Sequence, residues 1–166
     1  MIFDGNTLTL AGKNVNLFTQ IGVPGSVDNL VDELQNTYGR ALPASALILS
    51  NAYDKLTRGV VNVKDLGSGV IGGTECDYLA FRTKDLDWEI WIAQGDRPYP
   101  CKYVLTSKGI EKEPQYTVQI RDWKTGTDVA SDDFAFNNST NAVQIDPQDL
   151  KTKMSELPEN FKRRNN

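Results

Sequence analysis

Few residues in this 166-residue chain have types and spacing suited to chemistry. There is no histidine, which removes most catalytic triads, the common zinc sites and the usual general base at neutral pH. The carboxylates of Asp85, Asp87 and Glu89 lie close enough together for acid–base work. They fall, however, at a turn and on the polar face of a strand pattern, where carboxylates are ordinarily just solvated. Gly67-Ser68-Gly69-Val70-Ile71-Gly72 matches G-x-G-x-x-G by the letter. Yet Thr74 to Arg82 then alternate as a strand, where a dinucleotide site needs a helix whose N-terminus meets the pyrophosphate. A turn or bulge at Gly72-Gly73 is expected there instead. Cys76 and Cys101 alone cannot make a structural zinc site. No catalytic residue, metal or cofactor is expected, and a non-enzymatic protein is the favoured class.

The elements that would position these residues centre on Thr74–Trp123, which reads as successive antiparallel strands Thr74–Thr83, Asp87–Gln94, Tyr99–Thr106 and Gln115–Trp123. The turns are Lys84-Asp85-Leu86, Gly95-Asp96-Arg97-Pro98 and Lys108-Gly109-Ile110-Glu111. Pairing about them sets Tyr78 opposite Ile92, Ile90 opposite Tyr103 and Tyr103 opposite Val118. One face then carries Cys76, Tyr78, Ala80, Trp88, Ile90, Ile92, Cys101, Tyr103, Leu105, Tyr116, Val118 and Ile120, almost wholly apolar. The other carries Asp77, Leu79, Phe81, Asp87, Glu89, Trp91, Lys102, Val104, Thr106, Thr117, Gln119 and Arg121, mostly polar. A slip of one residue would reverse the assignment of a whole strand. On this register a strand separates Cys76 from Cys101, and their Cα atoms lie about 9–10 Å apart. That exceeds the reach of a disulfide, so two buried thiols are expected, although an oxidising compartment presses the other way.

Elsewhere, Ile2–Phe3, Asp4-Gly5-Asn6 and Thr7–Ala11 read as a hairpin, and Val15–Ile21 as a third strand. Ser26 caps a helix with Val27, Leu30, Val31, Leu34 and Tyr38 on one face, ended by Gly39. A second helix, apolar on most sides and so expected to be buried, runs from Pro43 through Ala44, Ala46, Leu47, Ile48 and Ala52 to Leu56. Gly59–Val63 and Gly69–Gly72 read as strand, Asp133–Phe136 as a last strand, and Pro147–Met154 as a short helix capped by Asp146. By length the chain is a single domain, assigned to residues 1–136, followed by a C-terminal loop, helix and tail at 137–166.

Composition is that of an ordinary globular protein, at 39% apolar and 24% charged. A net charge of −4, with Lys162-Arg163-Arg164 as the one basic run, disfavours a nucleic-acid surface. No apolar run approaches the roughly 20 residues that span a bilayer. The chain opens in mid-hairpin, so either the boundary is artificial or an upstream part precedes it, and a cleaved signal would then be invisible.

The runs Gly73-Thr74-Glu75-Cys76-Asp77-Tyr78-Leu79-Ala80-Phe81-Arg82, Asp87-Trp88-Glu89-Ile90-Trp91-Ile92, Gly95-Asp96-Arg97-Pro98-Tyr99-Pro100 and Pro114-Gln115-Tyr116 carry a resemblance. With Phe3-Asp4-Gly5-Asn6-Thr7-Leu8-Thr9-Leu10 and Leu42-Pro43-Ala44, they resemble a domain-of-unknown-function family of predicted periplasmic proteins. That family looks like a branch of the superfamily of the lipoprotein carrier LolA and the mycobacterial lipoprotein LppX. Where the family often has histidine before Leu-Ala-Phe, this chain has Tyr78, so no role for that histidine is carried over. The resemblance implies an α+β fold: a curved antiparallel sheet, an open half-barrel, with helices on its concave face. It further implies a periplasmic location and members that begin upstream with a signal peptide, a long helix and several strands. About eight strands would give a sheet roughly 38 Å wide, while two helices cover only about 20 Å of it. The remainder must be filled by curvature, by the short C-terminal helix, by a partner or by an apolar ligand such as a lipid or acyl chain; the apolar positions form either ordinary core or a ligand groove. Tyr78, Trp88, Ile90, Ile92, Tyr103, Leu105, Tyr116 and Val118 are the expected lining, and Leu30, Val31, Leu34, Leu47 and Ile48 the lid. The alternative is a protein-interaction or envelope-sensing module that uses the outward Leu79, Phe81, Trp91 and Val104. An unpaired edge at Ile2–Phe3 also invites pairing with another protein or a second copy.

Overall fold

Hydrogen bonding divides the strands between two sheets, in a computed structural model that describes residues 1–149 apart from 13, 40, 41, 43, 110 and 130–133. The chain forms two compact units, one from Met1–Leu42 with the described residues beyond Gly126, the other from Pro43–Thr125.

The first unit opens as its turn residues dictate. Asp4 Oδ1 accepts hydrogen bonds from the backbone N–H groups of Asn6 at 2.8 Å and Thr7 at 2.7 Å, and these hold the Asp4 carboxyl below its ordinary pKa. The hairpin β1 (Ile2–Phe3) to β2 (Thr7–Gly12) follows, and β3 (Leu17–Gly22) pairs antiparallel with β2. Ser26 Oγ accepts from Asn29 N and caps α1 (Val27–Asn36). The helix buries Leu30 and Leu34 against Leu8, Ile21 and Val23. These two expected lid residues are thus core of this unit.

The second edge of β3 is taken by a late strand, Val143–Gln144, paired parallel in register with Leu17 and Phe18. Thr19 Oγ1 donates to the Ile145 carbonyl at 2.8 Å. The expectation of one sheet of about eight strands is therefore corrected: among the described residues this sheet has four strands, in the order β1-β2-β3 and then the late strand. Of the expected strand Asp133–Phe136, Asp133 lies outside the described residues. Phe134–Phe136 is not strand, and the Phe136 ring lies 4.9 Å from that of Phe18. Asp146 caps as expected, its Oδ1 accepting from Gln148 N, but Pro147–Asp149 is a 3-10 turn. The rest of the expected helix and the Lys162-Arg163-Arg164 tail lie outside the described residues.

In the second unit the expected single helix after Pro43 is broken. A 3-10 turn at Ser45–Ile48 is followed by α2 (Ala52–Thr57), neither has a side-chain cap, and no residue in either is fully buried. Tyr53 is 78% exposed. The five-stranded antiparallel sheet runs in chain order: β4 (Asn62–Ile71), β5 (Thr74–Arg82), β6 (Leu86–Ala93), β7 (Pro100–Ser107) and β8 (Gln115–Gln119). The two short strands expected around Gly59 and Gly69 are one long strand, β4, with a bulge between Asp65 and Ser68. Gly67 takes up the bulge at φ 87°, a conformation costly to any residue with a Cβ. At the expected turn, Gly72 and Gly73 have φ 58° and 89°, joining Ile71 directly to Thr74 as a two-residue hairpin.

The register of β5 on β6 corrects the expected faces. Tyr78 lies opposite Trp91, not Ile92, while Leu79 lies opposite Ile90 and Phe81 opposite Trp88. The cause is the turn. Its loop is Lys84-Asp85 alone, because Thr83 Oγ1 donates to the Leu86 carbonyl at 2.7 Å and accepts from Leu86 N at 3.0 Å, drawing Leu86 into the strand. A loop one residue shorter shifts the pairing by one and turns every β5 side chain over.

Candidate functional site

With that register, one face of the sheet gathers the aromatic and aliphatic side chains. The pairs Phe81–Trp88, Trp88–Leu105 and Leu105–Tyr116 form one row, and Leu79–Ile90, Ile90–Tyr103 and Tyr103–Val118 the next. Trp88, Ile90 and Tyr103 are buried at the centre, with Ile92 and Leu105 packed on them. The Phe81 and Trp88 rings stack with centroids 3.7 Å apart and planes 2° from parallel, and Tyr103 tilts at 57° to Trp88 with centroids 5.7 Å apart. Burial pushes the Tyr103 hydroxyl up from 10.0 to about 12.

Ala44, Leu47, Leu56 and Val60 cover this centre. The edges stay open, with Val63 on β4 at 56% exposure and Tyr116 on β8 at 41%. Seven of the expected lining residues, Trp88, Ile90, Ile92, Tyr103, Leu105, Tyr116 and Val118, thus share a face, with Leu47 above it. Leu34 belongs to the other unit's core. Tyr78 is on the opposite face, stacked on Trp91 at 4.1 Å and donating its hydroxyl to Glu89 Oε2 at 2.9 Å. Burial first and Glu89 second raise its pKa. Leu79 and Phe81, expected outside, are inside. Leu86 was their signal, an apolar residue that a three-residue turn strands in a loop.

Of the three carboxylates singled out for chemistry, Glu89 and Asp87 are engaged structurally. Asp87 pairs with Lys108 Nζ at 3.0 Å and Arg82 Nε at 3.7 Å. Lys102 Nζ sits 4.5 Å from the centre of the Trp91 ring, whose other neighbour is Tyr78. Cys76 and Cys101 are both free and buried around Ala93, on the face opposite Trp88. The β5 register carries Cys76 there, and a register shift between β6 and β7 leaves Cys101 as the extra residue. Burial, and then the neighbouring Cys101 thiol, push Cys76 from 9.0 up to about 11. In the first unit a depression of about 430 Å³ lies between Gly22-Val23-Pro24 and the Asn29, Asp32, Glu33 and Asn36 side of α1. Its wall offers polar groups and two carboxylates, unsuited to an apolar ligand.

Among the described residues no helix is long and apolar enough to cross a membrane, and no cluster of three or more metal-ligating side chains occurs. A family model described as "Predicted periplasmic protein (DUF2092)" matches residues 1–147. No curated protein matches the chain.

Proposed function

The chain belongs to the DUF2092 family of predicted periplasmic proteins, and from that membership we propose that it is a non-enzymatic periplasmic protein that takes up an apolar ligand, such as a lipid or acyl chain, on the aromatic face of its five-stranded sheet. In this reading the sheet is the open half-barrel of a LolA-like fold. One observation supports it above the others. The face is closed at its centre by a segment, Ala44 to Val60, whose two short helical turns have no side-chain caps and no fully buried residue, while the rows continue to exposed apolar side chains at both edges. Such a cover is anchored by only a few kilocalories, because half-buried aliphatic groups recover less than the roughly 1.5–3 kcal/mol of a fully buried one. A ligand that replaces those contacts can displace it.

Mass spectrometry of the gently purified protein, native and then denatured, tests the reading. A discrete adduct that is lost on denaturation and extracts into organic solvent is the expected outcome. A wholly unliganded protein that also fails to take up added lipid sinks it. Val118→Glu is the informative variant, since Val118 is half-buried on edge strand β8 whereas a charge at Ile90 would strike the buried centre. Uptake should fall at least tenfold while the unfolding midpoint stays within about 1 kcal/mol of wild type.

A second reading, a protein-interaction module, draws on β4. This ten-residue strand is the sheet's edge and leaves Val63 and Val70 exposed, so its unpaired backbone can accept a partner strand. A partner whose capture depends on Val63 and Val70, by a protein that stays lipid-free, would favour it.

A further inference from the structure

Two polar atoms at the centre of the aromatic face take no part in the hydrogen bonding of the described residues. Tyr103 and Trp88 are 3% and 4% exposed. Yet the Tyr103 hydroxyl and the Trp88 indole N–H have no hydrogen-bond partner among the described residues, their neighbours being rings and aliphatic groups. Among the described residues no wholly enclosed side-chain nitrogen or oxygen lacks a partner, so both tips reach space that a solvent-sized group can occupy. Buried tyrosine and tryptophan ordinarily hydrogen-bond their polar ends, and here two donors 96–97% buried by residue remain for something else.

The charges around the face restrict what that something is. On this register the strands place Asp65, Glu75 and Asp77 on the same face as Trp88 and Tyr103, with Asp65 opposite Leu79 at the edge of the Tyr103 row. Lys64, Arg82 and Lys102 fall on the other face. The cations of the covering segment, Lys55 and Arg58, are exposed. Asp65, Glu75 and Asp77 are exposed like Lys55 and Arg58, so a ligand carboxylate drawn down to the two buried donors would be desolvated with no cation beside it, which is strongly unfavourable. A plain hydrocarbon would leave both donors without an acceptor and strip them of water.

Resting on the apolar-ligand reading above, we propose that the ligand is an apolar chain bearing a neutral carbonyl, as in an ester, amide or ketone, whose oxygen accepts a hydrogen bond from the Tyr103 hydroxyl, the Trp88 indole N–H or both. The aliphatic part lies along the Ile90, Leu105 and Val118 side of the face, and the two donors set the depth at which it stops.

Three probes of one chain length separate the possibilities: methyl dodecanoate, dodecanoate and dodecane, titrated into the full chain at pH 8 and followed by native mass spectrometry. The ester should bind about tenfold more tightly than either of the others, the worth of one hydrogen bond in a dry site. Tyr103→Phe should bring the ester down to the level of dodecane and leave dodecane unchanged, with Trp88→Phe reading the second donor the same way. Equal binding of ester and dodecane by the wild type overturns the carbonyl inference while leaving the apolar reading intact. Tightest binding of dodecanoate overturns it too, and points to a cation brought in by the cover. If no probe binds, both the inference and the apolar reading fall. The wild-type comparison stands even if a variant does not fold.

Discussion

Trp88 sits at the centre of the aromatic face: stacked on Phe81, tilted against Tyr103, opposite Leu105 and almost fully buried. Its truncation removes a ring that the sheet cannot refill by collapse, so Trp88→Ala should cost about 3–5 kcal/mol in urea unfolding, a large part of an ordinary domain's stability. A loss below about 1 kcal/mol would mean that the ring is not packed as described. Cys76 supplies a pH signature of the opposite face. Its thiol is raised from 9.0 to about 11, so the folded state holds the proton more firmly than the unfolded chain does. Below pH 9 both states are protonated and stability does not depend on this group. Above it the unfolded chain ionises first, and stability falls with rising pH until about 11. Tyr103, raised from 10.0 to about 12, extends the fall to higher pH. Denaturation midpoints measured from pH 7 to 11 should be flat and then decline from about 9, and Cys76→Ala should flatten the part between 9 and 10 and leave the shallower Tyr103 decline above it. An unchanged profile in that variant would remove Cys76 as the cause.

At the scale of elements, the Thr83–Leu86 turn decides which β5 residues face the aromatic cluster. Inserting a glycine between Asp85 and Leu86 restores a three-residue loop and slides β5 by one. Leu79 and Phe81 would then leave the cluster, and at about 1.5–3 kcal/mol for each side chain the loss should be roughly 3–6 kcal/mol. The same insertion between Ser139 and Thr140, in a polar turn, should cost under about 1 kcal/mol. Comparable losses at both sites would show that the turn does not set the register. This turn also marks where sequence stopped being legible. The strands β5 to β8, the first hairpin, the Ser26-capped helix and the Gly72-Gly73 turn follow from alternation, helical spacing and turn chemistry, all local properties. Tyr78-Leu79-Ala80-Phe81 is apolar at every position, so periodicity there fits either register and only the hydrogen bonds of Thr83 decide. The bulge at Leu66-Gly67 hid β4 by breaking its alternation. Most of the candidate face was visible because Trp88, Ile90, Tyr103, Leu105 and Val118 come from strands whose mutual register the longer loops left unambiguous.

For the whole molecule, the two units are unequal in how the chain assembles them. The clusters around Cys76 and around Trp88 draw every member from one continuous stretch, 43–125, and each strand of its sheet pairs with its sequence neighbour. Short loops make that closure cheap. The other unit needs Val143–Gln144 to pair with β3 across more than a hundred residues, and its two-residue contact with Leu17 and Phe18 has little to offset so long a loop. Such long-range pairing was also invisible to a reading built on neighbours. A fragment of residues 43–125 should therefore fold alone, with a cooperative thermal transition and blue-shifted tryptophan emission from the buried Trp88. Removing residues 126–166 should lower the stability of Met1–Leu42 first, exposing the Leu8, Ile21 and Leu34 core to hydrogen exchange while the aromatic face stays protected. If the 43–125 fragment is unfolded, or if exchange rises equally in both units after truncation, the two units fold as one cooperative body and the five-stranded sheet depends on the rest of the chain. If it folds, the ester, acid and hydrocarbon probes can be repeated on it, and uptake matching that of the full chain would place the whole binding site within the sheet and its cover.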